Sequence, residues 1–225
     1  MKRSMYVFYA LIALVVVGGG VWIASSGPKN NKKASASTPT VQPVTTWKDA
    51  EEVGVGLGSV EAPVTVVEFA DLACPYCAYM ALKVFPAVES AYIETGKVRW
   101  IFVDFPLPSH RNSFTAAVLT HCAGDQGKYW DLQERFFERM NDWAHEADPV
   151  PALLSIAEEL NLDTKALKAC LESGVYTERV RKAQQFGLRM NIQATPSFFI
   201  NGRFVEGAMP LERFQALLDE MLAGS

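Results

Sequence analysis

Val64-Thr65-Val66-Val67-Glu68-Phe69-Ala70-Asp71-Leu72-Ala73-Cys74-Pro75-Tyr76-Cys77 runs from a strand into a pair of thiols, and the rest of the chain is organised around it. Val64 to Phe69, behind Ala62-Pro63, is rich in β-branched residues and predicts a strand. The cysteine pair then opens the next element. Pro75 suits the first position of a helix, where its missing N–H costs little. A helix of about 20 residues follows, to Thr95-Gly96, with Gly96 as its stop. Val98 to Phe105 predicts a second strand. Strand, helix, strand in this order is a βαβ unit, so the two strands are expected to be parallel.

The spacing of the two thiols carries a chemistry. A dithiol exchange catalyst needs one exposed thiol that ionises near neutral pH and a second close enough to attack the mixed disulfide. Two intervening residues at a helix start supply that spacing, with Cys74 at the cap and Cys77 one turn in. Free amides and the positive end of the helix dipole favour a thiolate at Cys74. Cys77 then resolves the mixed species. Half a zinc site is a rival reading, but it needs two more ligands, and Cys122 and Cys170 stand 48 residues apart with no second C-x-x-C. An inert staple is another, although a loop this tight is a strained choice for one.

Beyond the βαβ unit the periodicity is helical. Phe114, Val118 and Cys122 share a face, as do Tyr129, Leu132, Phe136 and Met140, then Leu153, Ile156, Ala157 and Leu160. Asp163-Thr164 starts a further helix carrying Leu167, Cys170 and Leu171, and Val180, Ala183 and Phe186-Gly187 continue the pattern. Ser197 to Ile200 and Arg203 to Val205 predict a hairpin across Asn201-Gly202. Pro210 opens a last helix with Leu211, Phe214, Leu217, Leu218 and Met221 on one face. The expected fold class is therefore α/β, in the order βαβ…ββα, with a helical insertion at about 109–190. Gly54-Val55-Gly56-Leu57-Gly58 lacks the strand–helix setting of a phosphate loop and reads as an edge hairpin or loop. His110, His121 and His145 share no metal spacing, and no carboxylate pairs with them in motif form. No metal, no other cofactor and no hydrolase signature is expected.

The chain has 225 residues, enough for one sizeable core. Five of its 21 basic residues precede residue 48 and no acid does, so the remainder carries 16 basic against 25 acidic residues, a net −9. That balance argues against nucleic acid as a partner, which needs a basic stripe. Lys2-Arg3 is followed by twenty uncharged residues, Met5 to Ala24, long enough to span a bilayer. Residues 1–26 are expected to be a signal anchor, a transmembrane helix; cleavage after Ala24-Ser25-Ser26, giving a secreted or periplasmic protein, is the alternative. Lys29, Lys32 and Lys33 nearly balance Lys2 and Arg3, so charge alone leaves the orientation open. Residues 27–47, rich in Ser, Thr, Pro, Asn and Lys, read as a flexible tether, and 48–225 as the folded domain.

The segment Val66 to Cys77 resembles the redox segment of DsbA-like proteins of the thioredoxin superfamily, and Ala194-Thr195-Pro196-Ser197-Phe198-Phe199-Ile200-Asn201-Gly202 resembles their second signature, a loop carrying a cis-proline. The resemblance covers about residues 48–223, in the right order. It implies a thioredoxin-like fold, a nucleophile at Cys74 and a resolving thiol at Cys77. It implies a cis Pro196 packed beside the dithiol, flanked by the client-facing Pro75 and Tyr76, and a Thr195 whose backbone pairs with an extended client. Glu68 matches a buried acid that relays the proton of Cys77; the residues alone also permit an outward-facing strand Glu. The function implied is disulfide formation or exchange in secreted client proteins, by a disulfide oxidase or isomerase outside the cytoplasmic membrane. The implied partner is a membrane redox protein, a quinone-linked oxidase or an electron donor. A non-catalytic, chaperone-like module for extended clients is the competing function. Cys122 and Cys170 each fall on an apolar helix face, so a structural disulfide stapling the insertion is expected, and some relatives carry a second pair here. Two independent buried cysteines or a second redox pair are the alternatives.

Overall fold

The computed structural model describes residues 46–224. The expected span at 1–26, and all but the last two residues of the expected tether at 27–47, lie outside them. Among the described residues no helix is long and apolar enough to cross a membrane.

Five strands form one mixed sheet: β1 (Val55–Leu57), β2 (Val64–Ala70), β3 (Val98–Asp104), β4 (Ser197–Ile200) and β5 (Arg203–Glu206), in the order β1-β3-β2-β4-β5. β2 and β3 pair in parallel as the βαβ reading requires, and the other three pairings are antiparallel. The Gly-rich segment is the edge strand β1. The β4–β5 hairpin closes over Asn201 (φ 47°) and Gly202 (φ 87°), two left-handed residues that suit the strands' twist.

The first helix, α1 (75–93), departs from the sequence expectation of one regular helix. α-Helical Pro75–Tyr79 and Phe85–Val88 alternate with π-helical Met80–Val84 and Glu89–Ile93. Pro86 supplies the reason for the first π-turn: it has no N–H to donate to residue 82 and its ring crowds that carbonyl, so the chain widens ahead of it instead of stopping.

The insertion between β3 and β4 contains α2 (Ser113–Gly124), α3 (Tyr129–Glu138), α4 (Met140–Trp143), α5 (Val150–Glu158), α6 (Thr164–Ser173) and α7 (Thr177–Arg189); α8 (Leu211–Ala223) ends the chain. Asp163 caps α6 by accepting from the Lys165 and Ala166 amides, the helix start its sequence announced. One sheet face, with Val64, Val66, Trp100, Phe198 and Ile200, packs on α1 and α8 through Met80, Val84, Val88, Phe214 and Leu218. The other face, with Val67, Phe69, Ile101 and Val103, packs on α7 through Ala183 and Phe186. A third cluster fills the insertion around Leu119, Leu132, Phe136, Trp143, Leu153 and Ile156, and it includes Cys74 and Cys77. The dithiol thus lies where the sheet layer meets the insertion.

Cys122 of α2 and Cys170 of α6 are joined by a disulfide, with Cα atoms 6.0 Å apart and a sequence separation of 48. It ties together two helices of the insertion.

Candidate active site

β2 delivers the chain to the site. After Ala70, residues 71–73 form a short loop, and Cys74 caps α1 in an extended conformation (φ −91°, ψ 120°) with Pro75 at the first helical position. The Cys74 carbonyl accepts from the Ala78 amide at 3.0 Å, closing the first turn and turning Cys77 inward, where it is fully buried. Both are free thiols. The antiparallel register Phe69↔Ser197 brings the residues ahead of β4 to the carboxyl end of β2. There the Thr195-Pro196 bond is cis, and Cys74 Sγ donates to the Thr195 carbonyl at 3.4 Å.

The two thiols are driven apart in acidity. Cys74 is lowered to about 6, first by a hydrogen bond from the Cys77 thiol, against the opposing effect of burial, then by Thr195 and the Cys77 and Tyr76 amides at the helix start. Thr195 Oγ1 is buried and has no partner while Cys74 is a thiol. Once Cys74 ionises and stops donating, that hydroxyl can turn its proton to the sulfur, and this reconciles its idle geometry with its acidifying effect. Cys77 is raised well above its ordinary value by burial first, then by its hydrogen bond to Cys74 and the nearby Cys74 and Glu68 charges. The redox role predicts an exposed Cys74. In the structure Cys74 exposes only 4% of its surface, whereas its neighbour Tyr76 is 68% exposed.

Glu68 shares the β2 face of Val66 and points inward, not outward; it is 6% exposed. Burial pushes its carboxyl up to about 8, and the Cys74 charge adds to this. Trp100 is the one group favouring the carboxylate, but its Nε1 has no partner in hydrogen-bond geometry, so its help is weak and burial wins. A cavity of about 160 Å³ runs from Glu68 past Trp100, Phe85 and Gln133 to the acidic residues Glu89 and Glu134. On the outer side, Pro75, Tyr76, Tyr79, Ala208, Met209 and Pro210 line a mainly apolar groove of about 510 Å³ beside the cysteine pair.

The fold therefore gathers Glu68, Cys74, Pro75, Tyr76, Cys77, Thr195 and Pro196 at one end of the sheet and leaves Cys122 and Cys170 in the insertion. Sequence reasoning missed the carboxylates that hold two of the three histidines. Asp71 Oδ2 lies 2.9 Å from His110 Nδ1, and Asp104 Oδ2 lies 2.8 Å from His121 Nε2, the latter pair buried on both sides. These partners are 39 and 17 residues apart, beyond any local motif. One signal for Asp71 was readable: an Asp two residues before Ala73 invites the Asx-type contact it makes with that amide. Among the described residues no three His, Cys, Asp or Glu side chains stand together as a metal site.

A mixed sheet carrying a Cys-x-x-Cys helix start opposite a cis-proline loop defines a thiol–disulfide oxidoreductase of thioredoxin-like fold. A family model described as Thioredoxin matches residues 50–220, and the chain belongs to that family. Disulfide bond formation protein D of Bacillus subtilis is 28% identical over 170 residues, covering 75% of this chain and 77% of that protein. Among solved structures, oxidised BdbD from Bacillus subtilis superposes with a TM-score of 0.68 at 27% identity, over 76% of this chain and 94% of that one. Alpha-DsbA1 from Wolbachia pipientis gives the same TM-score and identity, over 76% and 92%. Within the thioredoxin superfamily this is a DsbA-like thiol–disulfide oxidoreductase.

Proposed function

We propose that the chain makes or exchanges disulfides in secreted proteins, outside the cytoplasmic membrane, through the Cys74-Pro75-Tyr76-Cys77 dithiol. The observation that carries this reading is the opposed acidity of the two sulfurs beside the Thr195-Pro196 loop. In the oxidising direction a client thiolate attacks Cys74 Sγ of the Cys74–Cys77 disulfide, and Cys77 leaves with the proton that Glu68 holds. A second client thiolate then attacks the client sulfur and expels Cys74 as the thiolate, its stable form at neutral pH. In the reducing direction Cys74 attacks a client disulfide, which removes the Cys74 charge that helps to keep Glu68 protonated, and the carboxylate form of Glu68 takes the proton of Cys77 as it resolves the intermediate. A Cys74 acidity of about 6 lies between the values of about 7 in thioredoxin and about 3.5 in DsbA.

The apolar groove beside Tyr76 suits the side chains of an extended client, and Thr195 offers its backbone for strand-like pairing. That groove also favours the second reading, a binding module that holds clients without redox turnover. Insulin-disulfide turnover separates the two: Cys74→Ser should abolish it, whereas a pure binding module would show no dependence on Cys74. A membrane redox protein, a quinone-linked oxidase or an electron donor, would re-set the dithiol. The arrangement we propose is a signal anchor at 1–26, a tether at 27–47 and the catalytic domain at 48–225. The uncharged run from Met5 to Ala24 supports it.

A further inference from the structure

Asp71 is 1% exposed and stands three residues before Cys74. A buried carboxylate is tolerated only when its lone pairs are filled. Four groups surround these. Oδ1 accepts from the Ala73 amide at 2.7 Å and the Ser113 hydroxyl at 2.5 Å. Oδ2 accepts from the Leu107 amide at 2.7 Å and lies 2.9 Å from His110 Nδ1. The backbone of the same residue touches both cysteines: its N–H donates to Cys77 Sγ at 3.5 Å, and its carbonyl accepts from the Cys74 amide at 3.0 Å. Closing the loop needs only the contacts to Ala73 and Cys74. The contacts to Leu107, His110 and Ser113 lie 36 to 42 residues away and do nothing for the turn. They fasten it to the segment that leads into α2.

We propose that Asp71 is the positioning residue of the dithiol. Its carboxylate locks the redox loop onto the entrance of the helical insertion, and that lock holds its own amide against Cys77 Sγ; His110 and Ser113 are the two side chains that seat the carboxylate. The proposal rests on the Cys74–Cys77 redox reading and deepens it. In the reduced pair the Cys77 thiol donates towards the Cys74 thiolate, which makes its sulfur more negative than a disulfide sulfur and the better acceptor of the Asp71 N–H. The Asp71 amide therefore favours the reduced pair, and loosening the lock moves the equilibrium towards the disulfide.

The test uses the full chain, equilibrated with glutathione and glutathione disulfide near pH 7. Two glutathione thiols give two electrons and two protons to the Cys74–Cys77 bond and leave as one glutathione disulfide. The reduced fraction is read by alkylation and mass spectrometry. His110→Ala and Ser113→Ala should each shift the equilibrium about threefold towards the protein disulfide, the size of one ordinary hydrogen bond; that equals about 14 mV at 29.6 mV per tenfold change. His110→Asn, whose amide N–H can replace Nδ1, should return the equilibrium to the wild-type value. Both alanine variants fold more safely than Asp71→Asn, because each removes one of the four partners, whereas the Asn side chain would set an N–H2 group against a backbone N–H. Lower melting temperatures with an unchanged glutathione equilibrium in both would overturn the proposal and leave Asp71 a staple of the fold. A wild-type chain that formed no Cys74–Cys77 disulfide in the same buffer would overturn the redox reading instead.

Discussion

Desolvation at Glu68 keeps its carboxyl protonated to about pH 8, while Cys74 gives up its proton near pH 6, so between these values the site holds a thiolate above a neutral acid. Cys74 should therefore be the dominant alkylated thiol near pH 7. Its labelling rate should rise about tenfold per unit below pH 6 and level off above, since only the thiolate reacts. Adduct mapping with iodoacetamide reads this directly, and dominant labelling of the fully buried Cys77 would reverse the roles. Glu68→Gln should slow turnover, because an amide can neither give a proton to Cys77 nor take one from it. It should also stabilise the fold in a pH-dependent way. The folded acidity of Glu68, about 8, lies above its unfolded value of about 4.3, so the folded state binds the extra proton between these values and stability falls as pH rises through them. The gain in the variant should grow by at most about 1.4 kcal/mol per pH unit from about 4.3 to 8, then flatten. Urea midpoints at pH 5 and pH 8 measure it; equal gains at both would mean that Glu68 is ionised throughout.

At the scale of single elements, legibility in the sequence followed locality. β2, the cap at Cys74 and the Asn201-Gly202 hairpin are each specified by a few consecutive residues, and each formed where its pattern lay. α1 was legible as a helix but not in its π-turns, because its apolar spacing at Met80, Val84 and Val88 hides the backbone adjustment, which Pro86 enforces in the first of them. The need for glycine at 187 was equally hidden: it lies on a helical face like any other, and only the fold shows that β2 and the end of β3 press against it. A Cβ there would stand 2.4 Å from Phe105 Cδ2 and 3.2 Å from Phe69 Cδ1, both in buried rings. Gly187→Ala gains about 1 kcal/mol of helix propensity but overpacks the α7 interface at a cost of about 1–3 kcal/mol. The net result should be a loss of up to about 2 kcal/mol, seen as a lower urea midpoint with an unchanged slope. A higher midpoint would show that the Phe105 ring can move aside.

For the molecule as a whole, the order βαβ, helices, ββα was readable, because strand and helix periods differ and the cysteine and cis-proline signatures stand in a fixed order. What joins the halves was not. The ties from Asp71 to the insertion and from Asp104 to His121 are made between residues with no sequence relationship, by side chains that a periodicity scan places in no particular partner's reach. The Cys122–Cys170 bridge stands between these cases: its two apolar-face positions were visible, its closure only in three dimensions. That bridge bears on where the domain works. A disulfide across 48 residues contributes about 4 kcal/mol in the chain-entropy picture, but only where thiols stay oxidised. A domain that leans on one and offers a second, reactive pair to clients would suit the oxidising compartment that the proposed function requires. The flanking charges do not decide the matter, since Lys2 and Arg3 are answered by Lys29, Lys32 and Lys33. We therefore expect protease added to intact spheroplasts to remove the domain. In the same samples Cys122 and Cys170 should be recovered as one bridged peptide pair, even after mild reductant has opened Cys74–Cys77. Protection until lysis, with free thiols at Cys122 and Cys170, would place the domain in a reducing compartment and end both the topology and the disulfide-forming reading.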